Sequence, residues 1–267
     1  MFSLTAAAKF LPENDLYIPE NALDAAGISE ADFNEVIDGV SKLYAPIVER
    51  AGGKLIVERL WNNGTVNAYA EQKKTDWSVH MFGGLARHKT ITKDGFALVI
   101  CHEIGHHLAG APRYSGLDVK WASNEGQADY FATTKCLRRY WQSQNNAAAN
   151  AQAAVPAALT TGCNKAWSSA ADRALCVRNG MAASSVSNLF AALAWNPFQP
   201  KFDKPDKKVV KSTADGHPAS QCRLDTYFQG AMCGVGFDKD FDVKDPNVGA
   251  CAKAVGSRPF CWFRPAP

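Results

Sequence analysis

The sequence predicts an α+β protein, with a small antiparallel-containing sheet in its first third and a helical, disulfide-stapled C-terminal half. Three observations predict it. Three short strand-like runs fall between Leu55 and Phe82. Segments with helical apolar spacing lie before and after them. Eight cysteines are scattered along the chain without a C-x-x-C pair, six of them beyond Cys101 and Cys136. An even, scattered set favours disulfides and an oxidising compartment over buried free thiols, although spacing alone does not give their pairing.

Each element has a local reason. Ser29 followed by Asp32 resembles a helix cap, and Phe33, Val36, Ile37, Val40, Leu43, Tyr44 and Ile47 then recur at helical spacing until Gly52-Gly53. Leu55–Trp61 reads as a strand, Asn62-Asn63-Gly64 as a hairpin turn, and Thr65–Glu71 as a second strand. A polar turn at Lys73–Asp76 leads to a third strand, Trp77–Phe82, closed by Gly83-Gly84. Three such strands in succession predict an antiparallel meander. A helix follows from about Asp94 to Ala109, with Gly110 in the stop position and Pro112 after it, and another from about Asn124 to Trp141. Residues 145–158 are rich in Ala and Asn and read as helix or surface connection; Lys201–Ser212 reads as a solvated basic loop. A last helix runs from near Pro218 to about Cys233.

The 267 residues suit one domain, taken as 29–267 with its helical C-terminal part from about 145, after a loose leader at 1–28. A net charge of +3, with no basic run interleaved with aromatics, argues against nucleic acid as a partner. No apolar run approaches a membrane span. The opening MFSLTAAAKFLPENDLY is not an intact signal peptide, so a periplasmic or secreted location implies a signal already removed.

The stretch CHEIGHHLAG, Cys101 to Gly110, carries the chemistry. On a helix, His102 and His106 share a face about 6 Å apart along the axis, a spacing at which two imidazoles can grip one Zn²⁺. Glu103 flanks such an ion without binding it and can take a proton from activated water. Phe96, Ala97, Leu98, Val99, Ile100, Ile104 and Leu108 make the helix apolar nearly all round, hence buried. Buried polar groups need a partner, and a metal supplies one. His107 points about 100° away and reads as a local hydrogen-bonding residue, Cys101 as core or a disulfide partner. A catalytic site needs a third protein ligand. Glu125 and Asp129 lie on one face of the next helix; one carboxylate can bind the ion while the other accepts a hydrogen bond from a ligand histidine.

His102-Glu103-x-x-His106 followed by Glu125-x-x-Ala128-Asp129 resembles the gluzincin zinc metallopeptidases, in particular the CAAX-prenyl-protein and heat-shock endopeptidases and their small soluble minigluzincin relatives. Asn67-Ala68, His217-Pro218 and Arg223 are similar to further elements of that pattern, which covers roughly residues 55–233. The family's membrane helices are absent, and the cysteines and the segment from Cys251 onward lie outside the pattern. The resemblance implies a zincin-like fold, the sheet lying above the HExxH helix and a glutamate helix. It implies one Zn²⁺ held by His102, His106 and Glu125, Glu103 as general base, Asp129 behind a ligand histidine, and His217 and Arg223 stabilising the tetrahedral intermediate. It also implies that Trp77–Phe82 is an edge strand to which a peptide or protein substrate adds as a further strand, with Trp77, Val79, His80 and Phe82 as substrate-binding residues. The expected activity is endopeptidase. The alternatives are a zinc-binding structural or interaction protein without turnover and a zinc amidase acting on cell-wall peptides. Glu103 argues against the first of these, because a structural site needs no general base.

Overall fold

The computed structural model describes residues 7–23, 25–193, 198–252 and 255–265. Ser29 caps α1 (Glu30–Arg50) by accepting from the Asp32 amide, and the helix buries Phe33, Val36, Ile37, Val40, Tyr44 and Val48. Three strands follow, β2 (Lys54–Leu60), β3 (Ala68–Lys73) and β4 (Asp76–Phe82), joined by a two-residue strand, β1 (Ala8–Lys9). The sheet is mixed, in the order β1-β3-β4-β2.

The strand runs are where the sequence places them, but they are not a meander. β3 and β4 form the expected antiparallel hairpin across Lys74, whose φ is +56°. β2 instead runs parallel to β4, from Lys54 opposite Asp76 to Leu60 opposite Phe82. Asn62-Asn63-Gly64 therefore belongs to a crossover, residues 61–67, which passes over the end of β4. The glycines that appeared to close a strand explain why. The Asn63 carbonyl accepts from the Gly84 amide at 2.9 Å, and a Cβ on Gly84 would stand 1.9 Å from the Gly64 carbonyl oxygen. Only a residue without a side chain lets the crossover lie against α2 (Gly83–Arg87).

β4 is consequently an interior strand with partners on both sides, not an edge. The position beside β3 is taken by the N-terminal segment, which is packed and not a loose leader. Ala8 and Lys9 pair with Ala70 and Tyr69, Phe10 and Leu11 are fully buried, and the Ile18 carbonyl accepts two hydrogen bonds from Arg87. Residues 1–6 of the predicted leader lie outside the described residues.

Helix α3 (Lys93–Leu108) runs under the sheet, buried from Gly95 to His107, and stops at Gly110, whose φ is +66°. Beside it, α4 (Glu125–Phe131) continues through a widened π-type turn (Ala132–Cys136) into α5 (Leu137–Trp141), close to the single predicted helix. The Ala/Asn-rich stretch holds the short α6 (Asn146–Asn150) and a connection. Two helices had no counterpart in the sequence reading: α7 (Ala157–Ala166) and α8 (Ala170–Leu193). Ten of the 24 residues of α8 are Ala or Ser, which blurs the large-apolar stripe that marks a helix. Those small residues let it come close; Ser185 Oγ accepts from the Thr92 amide and donates to the Thr90 carbonyl at the start of α3. α9 (Ser220–Met232) packs against α4 and α8.

All eight cysteines are paired: Cys101–Cys136, Cys163–Cys176, Cys222–Cys261 and Cys233–Cys251. Four disulfides in one chain are typical of extracellular proteins. Alkylation of native protein without reductant should label none of them, and unfolding with reductant should expose all eight; labelled thiols in the untreated protein would contradict the pairing. Among the described residues no helix is long and apolar enough to cross a membrane.

Candidate metal centre

Three side chains from two helices meet between α3 and α4. His102 Nε2 lies 3.3 Å from Glu125 Oε2, His106 Nε2 lies 3.7 Å from Glu125 Oε1, and the donor atoms of all three residues fall within 4.8 Å of one another. All three are fully buried. The far nitrogens are already engaged. His106 Nδ1 donates to the Ser123 carbonyl at 2.8 Å, while the Ser123 amide donates back to the His106 carbonyl at 2.9 Å. His102 Nδ1 faces Asp129 Oδ1 at 2.7 Å. The Ser123 carbonyl fixes the His106 tautomer, and both Nε2 atoms turn towards Glu125 without hydrogen-bond partners. Glu125 is the first residue of α4; Asn124 caps the helix by accepting from the Gln127 amide. The group can hold a metal ion.

Glu103 is buried beside it, and neither carboxylate oxygen has a hydrogen-bond partner. Burial pushes its carboxyl up to about 8. Glu125 behaves oppositely: burial works against its charge, but His106, His102 and His217 outweigh it and hold the carboxyl well below the usual range. Burial also opposes charge on His102, yet Asp129 and Glu125 raise it to about 9, whereas burial drives His106 down to about 4. The metal-free site thus keeps one imidazolium between two carboxylates.

His217 and Arg223 reach the same place from the C-terminal half. His217 Nε2 lies 3.5 Å and Arg223 Nη2 3.9 Å from Glu125 Oε2. Arg223 is held by a two-pronged pair with Asp129, Nε to Oδ2 at 2.8 Å and Nη2 to Oδ1 at 2.7 Å. Against the cost of burial, that carboxylate keeps the guanidinium firmly charged. Burial lowers His217. Asp129 therefore serves Arg223 as well as His102, where the sequence suggested only a histidine.

The four residues chosen on β4 go elsewhere. Trp77 stacks on His107 with ring centroids 5.3 Å apart, Val79 is buried in the core, and His80 stacks on Tyr69, which also contacts Phe82. His107 is sandwiched between Trp77 and Trp121 and bonds the Ser78 carbonyl, the local role expected of it. Two tyrosines were missed. Tyr114 donates to Glu125 Oε1 at 2.7 Å from a loop that carries no sequence signal. Tyr227 donates to Asp129 Oδ1 at 2.5 Å; its place four residues after Arg223 on one helix face was the available clue. Comparison of the chain with family models, with curated proteins and with solved structures finds no match.

Proposed function

We propose that the chain is a zinc-dependent endopeptidase of zincin-like, gluzincin type, working in a periplasmic or extracellular setting. One observation carries the reading: two imidazole Nε2 atoms without hydrogen-bond partners and a carboxylate converge in a buried site, and a second buried carboxylate nearby has both oxygens unpartnered. The donor set fits zinc. Bonds of about 2.0–2.2 Å at tetrahedral angles put neighbouring donors roughly 3.3–3.6 Å apart; Glu125 Oε2 lies 3.3 Å from His102 Nε2, and its other oxygen lies 3.7 Å from His106 Nε2. Three protein ligands also favour catalysis over a structural role, since structural zinc sites use four.

When bound, zinc supplies a Lewis acid that polarises the scissile carbonyl and acidifies water. Glu103 takes the proton of the attacking water and delivers it to the leaving amine, a task suited to a carboxyl whose affinity for protons burial has raised. His217 and Arg223 place donors where negative charge develops on the carbonyl oxygen. Asp129 keeps Arg223 aimed and holds His102 in the tautomer that leaves Nε2 free. The four cystines support the location.

Glu125→Ala should weaken zinc binding by at least about 100-fold, more than the 10–100-fold typical of losing a mere outer partner; unchanged zinc content after dialysis against a mild chelator would identify the wrong third ligand. Zinc binding should also release protons. In the metal-free chain His102 sits at about 9 and Glu103 at about 8, so both carry a proton at neutral pH. Affinity should therefore rise with pH up to about 9 and level off beyond it. Calorimetry in buffers of different ionisation enthalpy measures the release; an affinity flat from pH 6 to pH 9 contradicts it.

A further inference from the structure

The N-terminal strand lies across the candidate centre with its main chain fully engaged. Ala8 and Lys9 pair antiparallel with Ala70 and Tyr69, and the Phe10 amide donates to the Ala68 carbonyl at 3.0 Å. Beyond the ladder, the Asn67 side chain continues the pairing: its Oδ1 accepts from the Leu11 amide at 3.0 Å and its Nδ2 donates to the Leu11 carbonyl at 3.3 Å. The carbonyls of the two preceding residues face hydrogen-bond donors of the site. Lys9 O is 2.7 Å from His217 Nε2 and Phe10 O is 2.8 Å from Arg223 Nη1. Because a carbonyl only accepts, His217 Nε2 carries the proton in that contact. The Phe10 ring stands edge-on to His102 at 5.0 Å, 5.3 Å from Phe190 and 4.9 Å from the Arg223 guanidinium.

This is the binding mode of an extended peptide: main-chain pairing for affinity, one side chain in a pocket, carbonyls turned to the groups that would polarise them. Resting on the peptidase reading above, we propose that residues 8–11 occupy the substrate groove, so that the chain is self-inhibited until this segment leaves. The exit route is also present. Pro12, Glu13, Asp15, Leu16 and Tyr17 are exposed, so a cut in this stretch would leave the inhibitory strand held by non-covalent contacts alone. While tethered it competes at an effective concentration on the order of millimolar; once cut and diluted it loses that advantage.

The test inserts a recognition sequence for a site-specific protease between Glu13 and Leu16 of the full chain. The folded, zinc-loaded protein is assayed before and after cutting and removal of the released peptide, with circular dichroism to verify the fold. Two readouts are taken: hydrolysis of a mixed fluorogenic peptide library, and binding of a fluorescein-labelled AKFLPE peptide. Cutting should raise hydrolysis roughly 10–100-fold, and the labelled peptide should bind only the cut protein and inhibit it competitively. An intact chain as active as the cut one, or a cut and folded protein that fails to bind the peptide, overturns the proposal. A cut protein that binds the peptide yet hydrolyses nothing upholds the occupied groove and refutes the peptidase reading.

Discussion

Glu103→Gln is expected to lower peptide hydrolysis by about 10²–10⁴-fold while zinc content stays at one ion per chain. The expectation follows from what Glu103 touches. It is fully buried within electrostatic reach of His102 and Glu125, and its oxygens have no hydrogen-bond partner. A carboxyl left so is costly to a folded protein, by about 1–3 kcal/mol or more, and it fills no structural need here. Glutamine keeps the shape and removes the ability to take and return a proton. The variant should therefore fold, and its stability should equal or exceed that of the parent. Hydrolysis by the parent is best measured after removal of the N-terminal strand, since latency would mask the difference. A variant with zinc bound and hydrolysis intact would show that another group moves the proton.

Asp129→Ala is expected to destabilise the fold by about 3–5 kcal/mol, because it removes one partner of a buried ion pair and strands the other. Asp129 accepts two hydrogen bonds from Arg223 and one from Tyr227, and it faces His102 Nδ1 at 2.7 Å. Arg223 has almost no exposed surface, and its remaining contacts are the Phe10 carbonyl, the Tyr227 hydroxyl and the faces of Phe10 and Phe190. None of these carries a countercharge, and Glu125 is 3.9 Å away and occupied by histidines. The loss also frees the His102 ring, so metal affinity should fall about 10–100-fold. Denaturant unfolding with the disulfides intact measures the first effect. The double variant Asp129→Leu, Arg223→Met should recover most of the stability, since apolar replacement of a buried pair is near neutral, but none of the function. A single variant within about 1 kcal/mol of the parent would contradict the role given to this pair.

The centre was legible because its signals are local. His102, Glu103 and His106 fall within five residues on one helix, and Glu125 and Asp129 within five on another, so helical geometry alone predicts which atoms share a face. The fold around it was legible where side-chain period is strong, as in α1 and α3. It failed where the deciding contacts join distant residues. The crossover from β2 depends on Gly84 lying under Gly64, and nothing within 61–67 distinguishes it from a hairpin. The two-residue strand β1 is too short to show a period, and its burial comes from Asn67, His217 and Arg223, up to 213 positions away in sequence. The same blindness made β4 an edge strand: only tertiary pairing shows that the N-terminal segment takes the place beside β3 and β2 the place beside β4. α8 was missed because close packing there is achieved by small residues, whose absence of bulk is the signal.

X-ray absorption at the zinc edge, on protein purified with zinc present, decides whether His102, His106 and Glu125 hold the ion. One zinc per chain is expected, coordinated by two imidazole nitrogens and carboxylate oxygen at about 2.0–2.2 Å, a signature that Glu125→Ala alters. Protein without stoichiometric zinc, or zinc in a coordination shell unchanged by that substitution, would contradict it.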